Sequence, residues 1–415
     1  MPKRLLDIGQ LGEPVIRLLE TSKATREAFA IASYAWGSGS QAGAIERAKT
    51  TKENVDSRIG YGMEVISLPK TIQDLIEVTR QIGHRYLWLD AFCIVQDDKA
   101  EKSHQLELMV EFYKQADILI SAASASNCDE GFLQPRSVDQ SYGSIFQLPC
   151  SWKHHDQVTQ GSVLFCEKDL NCATDKDPVH MRIWTFQEHL VSSRVISFGS
   201  RQVKWSCQKV QNVVDGGKYH ESVDGLQDSL EKAFSPSQYS SENSVEKNWR
   251  VWAWMVVVEE YSNRDYSHPR DRVPAFNEAI SLLAPKMGWD TSECVEGIWK
   301  SDAARQLLWK KAKPLATQVL GESANSETAE QPGPSWSWAT LPGGVIYDSS
   351  SLYRDLGDSN PTIEFQETIG QPKCLTIMGH ILEADWRRNY PNKISAEETR
   401  LFEVEMDVEM QPQPG

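Results

Sequence analysis

The sequence predicts an α/β protein: an open, mostly parallel sheet with helices on both faces, followed by a helical and then a β-rich C-terminal region. Three observations carry this reading. Apolar strand-like runs alternate with helical patterns through about residues 28–123, the same rhythm resumes at about 182–207, and the character of the chain changes past residue 211.

Taken in order, Ala28 to Tyr34 is a short apolar run closing in Trp36-Gly37-Ser38-Gly39-Ser40-Gln41, a buried strand that opens into a loop. Ser67-Leu68-Pro69, then Ile72, Leu75, Ile76 and Val78 to Gly83, has the Ser start, early Pro, helical spacing and terminal Gly of a helix. Tyr86 to Asp90 reads as a strand with an acid at its carboxyl end. Leu106, Met109 and Tyr113 mark one face of a helix from about Ala100 to Gln115, ahead of a buried strand from Asp117 to Ala123. Residues 124–178 are rich in Asn, Asp, Gly, Pro and Ser and read as an insertion holding at least one strand, Ser162 to Glu167. A helix at Arg182 to Leu190, a strand at Arg194 to Phe198 and a half-buried edge strand at Gln202 to Cys207 complete the domain, placed at residues 1–210.

Residues 211–320 are expected to be helical after a polar loop. Val245 to Tyr261 is apolar, with Trp249, Trp252 and Trp254 as core, and two more helices fall at Arg272 to Ala284 and Ser301 to Lys311. Residues 321–415 begin as a linker and then read as strands at Ser335 to Thr340, Val345 to Tyr347, Leu375 to Leu382 and Leu401 to Met410. This region is expected to pack on the first domain, because Trp249, Trp252, Trp254, Trp336 and Trp338 need apolar surface to cover.

Size and charge narrow the function. The 415 residues leave room for two or three domains, and 43 basic against 58 acidic residues give a net charge of −15, which argues against nucleic acid as a partner. The N-terminal segment has no continuous apolar core and reads as neither signal nor transit peptide. The longest apolar run, Val251 to Val258, is far short of a bilayer span, and the expected location is cytoplasmic. Eight cysteines in so long a chain are too sparse for a disulfide scaffold and, without a CxxC pair, no metal site is expected.

In open parallel sheets, ligands lie outside the carboxyl ends of the strands. Trp36 to Ser38, Asp90 and the Ser124 region all follow strand ends and so gather on one rim. The helix Met181 to Glu188 adds Trp184 and Glu188, whose four-residue spacing puts them on one face. Two readings stand side by side: a core Trp with a solvated Glu, or a flat apolar surface beside an ionisable acid, suited to an aromatic base and a ribose, with Arg182 meeting a phosphate. Tyr34 and Trp36 either stack on a base or plug the core. Gly37 and Ser38 suit the approach of backbone amides to a phosphate, and Asp90 either accepts from a ribose hydroxyl or caps the next turn. Gln187 either orients Glu188 or faces solvent. Cys93 has no His partner in sequence and is not expected to act as a nucleophile. The convergence of strand ends places Glu188 in a cleft at the rim, within reach of the Trp36 to Ser38 loop.

Several of these segments, in the same order, resemble the blocks of fungal heterokaryon-incompatibility (HET) domains: Ser33-Tyr34-Ala35-Trp36-Gly37, then Tyr86 through Asp90-Ala91-Phe92-Cys93 to Asp97, then Met109 through Phe112-Tyr113 and Ala116, then Arg182-Ile183-Trp184-Thr185-Phe186-Gln187-Glu188. The likeness covers roughly residues 28–210. Segments further on, including Asp271-Arg272-Val273-Pro274-Ala275, Gly297-Ile298-Trp299 and Pro334-Ser335-Trp336-Ser337-Trp338-Ala339, look like the region that commonly accompanies this domain.

The resemblance implies a fold distantly related to TIR domains, a flavodoxin-like arrangement, and a role in fungal non-self recognition and programmed cell death. TIR enzymes cleave the nicotinamide–ribose bond of NAD with a helix-borne glutamate about four residues after a Trp, which is similar to Trp184 and Glu188 here. The carry-over implies a catalytic Glu188, with Tyr34, Trp36, Gly37, Ser38, Asp90, Arg182 and Trp184 holding the nucleotide, and NAD as substrate in place of any bound cofactor. It also implies activation by self-association or a protein partner. The alternatives are a signalling or nucleotide-binding module without turnover, and a pathway enzyme using the same pocket.

Overall fold

The computed structural model describes residues 1–21, 27–37, 39–137, 145–154, 157–166, 177–207, 213–214, 217–218, 244–266, 272–312, 334–340, 343–347, 362–366, 374–382 and 399–405. The chain divides into two compact units, Met1–Asp224 and Gly225–Gly415. No described helix is long and apolar enough to cross a membrane.

The first unit is built on a sheet of ten described strands in the order β12-β11-β10-β9-β6-β3-β5-β1-β2-β4. These are β1 (Arg4–Asp7), β2 (Val15–Glu20), β3 (Phe29–Ser33), β4 (Met63–Glu64), β5 (Tyr86–Trp88), β6 (Ile118–Ser121), β9 (Arg194–Phe198), β10 (Val203–Cys207), β11 (Val213–Val214) and β12 (Gly217–Lys218). The central four run parallel: Ile31 is in register with Trp88 on one side and Leu119 on the other, and Leu119 with Val195. Both flanks are antiparallel. Every residue of β3 and β6 is buried, as expected of interior strands covered on both faces.

Helices α1 (Gly43–Ala48), α2 (Val55–Gly60), α3 (Lys70–Gln81), α4 (Asp90–Cys93), α5 (Lys99–Glu107), α6 (Met109–Gln115) and α7 (Ile183–Val191) accompany this sheet. In α3 the residues Ile72, Leu75, Ile76 and Thr79 form the buried face that the spacing predicts. At the centre Trp88 is fully buried, with Phe112 and Tyr113 of α6 at ring distances of 5.7 and 6.2 Å.

Several sequence expectations are corrected in this unit. The strand at Tyr86 ends at Trp88, and Asp90 instead starts the one-turn α4. The single helix expected over residues 100–115 is two, α5 and α6, divided at Leu108, whose N–H reaches both His104 and Leu106 carbonyls; Leu106 turns outward, 45% exposed. The insertion holds a hairpin, β7 (Ile145–His154) with β8 (Gln157–Cys166), in keeping with the expectation of at least one strand there. Strand β10 is not an edge, because β11 pairs with its free side. The hairpin β1–β2 adds two strands that the sequence reading did not assign.

The second unit has α8 (Ser244–Ser262) and α9 (Arg272–Met287) around an aromatic core. Trp254 sits 5.3 Å from both Phe276 and Trp299, and Phe276 lies edge-on to Trp338 at 4.6 Å. The indole N–H groups of Trp254 and Trp338 both donate to the Gly297 carbonyl at 3.3 Å. Gly297 itself has φ +82, and a Cβ there would stand 2.8 Å from the Trp338 ring. Trp252 is only half-buried, and the side chain of Trp249 lies outside the described residues. The helix expected at Ser301 to Lys311 shrinks to one turn, α10 (Ala303–Gln306), because the buried Gln306 amide binds back to both backbone groups of Trp299 and Lys310–Lys311 pair with Val345–Ile346 as strands. Trp338–Thr340 is a 3-10 turn and not the expected strand. The last three described strands, Thr362–Gln366, Cys374–Leu382 and Thr399–Glu405, form one antiparallel sheet. Residues 406–410 of the last expected strand lie outside the described residues.

Charge pins β1 to the start of α5. Burial alone would raise the Glu101 carboxyl, but Arg4, Lys3 and the Val95 N–H outweigh it and hold it at about 2. Since this folded value lies below the unfolded value of 4.5, the contact stabilises the fold above that pH and is lost as pH falls toward 2. Arg4→Met is therefore expected to cost about 3 kcal/mol near neutral pH and much less near pH 3, read by urea unfolding at the two values.

Candidate functional site

Three adjacent parallel strands end on one rim. Strand β3 stops at Ser33 and runs on into Tyr34-Ala35-Trp36-Gly37; β5 stops two residues before Asp90; and β6 stops at Ser121. Asp90 Oδ1 accepts from the Tyr34 hydroxyl (2.7 Å), the Trp36 Nε1 (3.3 Å) and the Ala91 N–H (2.8 Å). Arg182, the residue before α7, donates from Nη1 to the Tyr34 carbonyl at 2.7 Å. The fold thus joins the first, second and last of the sequence blocks through direct hydrogen bonds.

Glu188 lies within α7 beside this cluster and is only 8% exposed. Burial pushes its carboxyl up to about 7. The nearby Ser33 hydroxyl, the Arg182 charge and the Tyr113 hydroxyl oppose that rise, and the Asp90 charge reinforces it. Its Oε2 has no hydrogen-bond partner. Ionised, the group is an acceptor short of donors; neutral, it is a poised acid.

Tyr34, Trp36, Asp90, Arg182 and Glu188 therefore come together. Trp184 is half-buried, one turn before Glu188 on α7. Ser38 lies outside the described residues. Gly37 has φ +91, and a Cβ there would stand 2.8 Å from the Gln41 carbonyl oxygen and 2.9 Å from Asn127 Cβ, so the chain's own packing requires the glycine. Gln187 is buried at 2% exposure and does not face solvent. Burial pushes the Cys93 thiol up to about 12, which leaves no nucleophile there.

Two residues at the site were not singled out from sequence. Ser33 reaches it from the end of β3, and its signal was a hydroxyl closing an otherwise apolar strand. Tyr113 was placed on a helix face and within one of the likeness blocks, without a role at the site. Its hydroxyl donates to the Ala32 carbonyl at 3.2 Å, and burial with the neighbouring Glu188 and Asp90 charges raises its phenol well above the usual range. Ser33, Ser121 and Ser197 stand in register across β3, β6 and β9, all buried, and the Ser197 hydroxyl meets His180 Nε2 at 3.3 Å. They form a polar row under an otherwise apolar sheet end.

The cleft expected at Glu188 is closed in this conformation. Met109, Val110 and Tyr113 of α6 and Gln187, Glu188 and Val191 of α7 line a crevice too narrow to admit a water molecule. Among the described residues, no group of three or more His, Cys, Asp or Glu side chains is arranged to hold a metal ion.

A parallel α/β core with a buried acid at its carboxyl rim defines the class. Residues 29–188 match the model of the family described as Heterokaryon incompatibility protein (HET), so this stretch is a HET domain, and Glu188 is the last residue matched. The domain supports a role related to heterokaryon incompatibility. No curated protein and no solved structure matches the chain.

Two outcomes follow from this geometry. Gly37→Ala should destabilise the first unit by about 1–3 kcal/mol through strain at positive φ, measured by chemical denaturation. For Glu188 the folded value lies above the unfolded 4.5, so the neutral acid is favoured in the fold and stability is lost as pH rises from 4.5 through about 7. Glu188→Gln should remove that loss: unfolding at pH 8 should find the variant more stable than the parent by about 1–3 kcal/mol, with the gap narrowing near pH 5.

Proposed function

We propose that the HET domain hydrolyses the nicotinamide–ribose bond of NAD, with Glu188 as the catalytic acid group, and that this activity drives a cell-death response when the protein self-associates or meets a partner. The observation that carries the reading is the buried Glu188 carboxyl with an unpartnered oxygen, beside Arg182 and the Tyr34–Trp36–Asp90 cluster. The resemblance of Trp184 and Glu188 to the TIR pattern supports the same assignment.

The chemistry is that of glycosyl transfer with a good leaving group. The C–N bond breaks with its electron pair going to nicotinamide, which departs neutral and needs no proton. The ribose carbon is left electron-poor, and the ionised Glu188 carboxylate steadies it. Water then adds to that carbon and gives up a proton, which a carboxyl poised near 7 is suited to accept. Arg182, held on the Tyr34 carbonyl, supplies a positive charge for a phosphate, while Tyr34, Trp36 and Trp184 offer aromatic surface for the base. The seam between α6 and α7 has to part for a substrate to reach Glu188.

A second reading, a signalling module without turnover, has its own support: Asp90 Oδ1 already accepts three donors from the chain, and the seam is closed. Incubation of the purified protein with NAD separates the two. The enzyme reading expects nicotinamide release that falls at least about 100-fold in Glu188→Gln. Saturable nucleotide binding without release would favour the module, and unchanged turnover in the variant would move the chemistry to another residue.

A further inference from the structure

Hairpin β7–β8 has the two unlike faces of a half-buried sheet. It is paired without a break from Ile145 opposite Cys166 to His154 opposite Gln157, and among the described residues neither strand pairs with any other. Leu148 stands opposite Val163, which puts Phe146 and Leu148 of β7 on the same face as Val163 of β8. These side chains are 63%, 54% and 45% exposed. The opposite face carries Gln147, Ser151, Gln160 and Ser162, all exposed, with the Gln147 amide donating to the Ser162 hydroxyl at 2.8 Å. Val158 is also exposed on that side. Polar and apolar residues alternate in this way along antiparallel strands that keep one face in water and cover the other, yet here the apolar face is bare. A two-stranded ribbon alone in water is also only marginally stable.

Charge selects what covers it. The chain carries −15, so two copies repel over most of their surface. Residues 145–166 contain Lys153 and Asp156 and no other Lys, Arg, Asp or Glu. A strip of zero net charge is where two such copies approach at least cost, and it offers a charged partner little to pair with. The strip is also self-complementary, because a two-fold axis sets each apolar row against an identical one. We propose that this face is the surface through which two copies of the chain associate, their hairpins stacked with Phe146, Leu148 and Val163 inward, about 10 Å apart as in a β-sandwich. A ribbon of this length and width presents on the order of 300 Å² on each copy, well under the about 800 Å² per partner of a stable complex. The dimer is therefore reversible and its population follows concentration, as a switch requires. The inference deepens the reading above by naming the surface of self-association; it rests on that part of the reading and does not require cleavage.

The test is sedimentation equilibrium of the full chain at about 0.15 M salt, where charges further apart than about 8 Å are screened. The weight-average mass is expected to rise with concentration from one chain toward two. Leu148→Lys and Val163→Lys, both at exposed positions, should each weaken the dimer at least about 100-fold, because the two-fold sets the added charge into the face twice. Circular dichroism and melting of the monomer should stay unchanged in both. Gln160→Lys adds the same charge to the opposite face of the same hairpin and should leave the dimer intact. A mass of one chain at every concentration up to about 1 mM, where even weak specific contacts form, overturns the proposal. So does a dimer that survives both face substitutions, or one that Gln160→Lys disrupts equally. Nicotinamide release from NAD is followed in parallel. Dimers that release none sustain the hairpin surface and sink the cleavage reading, whereas release from a protein that stays monomeric does the reverse.

Discussion

A carboxyl taken out of water has to be neutral or surrounded by donors, and the arrangement of the first unit turns on how Glu188 meets that constraint. It is covered by α6 and by the end of β3, which deprives it of solvent. Two hydroxyls and one guanidinium lie close enough to favour its charge, and the Asp90 charge disfavours it. The balance leaves the group near neutrality, able to take or release a proton with little driving force either way. A solvated carboxyl would be ionised throughout this range and would have no such capacity.

The same burial explains why distant sequence blocks meet. Parallel strands place their carboxyl ends on one rim, so Tyr34 and Trp36 after β3, Asp90 after β5 and Arg182 ahead of α7 become neighbours although up to 148 positions separate them in the chain. Asp90 Oδ1 gathers three donors and Arg182 fixes the Tyr34 carbonyl. These bonds set the position of α7, and α7 sets Glu188. Gly37 contributes by geometry alone: its positive φ lets the chain leave β3 and pass close to Gln41 and Asn127. Much of the rim is therefore occupied in holding itself, and the buried polar atoms left without a partner there include the Ser33 and Ser121 hydroxyls, Gln187 Oε1 and Glu188 Oε2.

The second unit is organised by a different interaction. Aromatic rings pack tilted or edge-on around Trp254, Phe276 and Trp338, and two indole N–H groups share the carbonyl of Gly297, an economical way to bury tryptophan without stranding its polar atom. That sharing depends on Gly297 having no side chain, so Gly297-Ile298-Trp299 is a packing motif in this structure.

Where a residue's role followed from local periodicity, the sequence determined it. Helix α3, strands β3 and β9 and the parallel centre were legible because burial of one face or of a whole run imposes a period that neighbouring residues display. The block likeness, read over roughly residues 28–210, overlaps the stretch 29–188 that the family model matches. Tertiary structure alone decided the rest. The break at Leu108 and the outward turn of Leu106 depend on what α6 packs against. Strand β1 pairs with β5, a partner some eighty residues away, and β2 pairs in turn with β1. Lys310 and Lys311 are strand because Val345 and Ile346 lie alongside, and Trp338 is in a turn because its ring rests on Gly297. A helical Glu reads as solvated or buried with equal ease from its spacing; only the approach of Ser33 and Tyr113 and the closure of the seam make it a buried acid. Desolvation is a property of the atoms around a group, and those atoms come from parts of the chain that no local pattern connects.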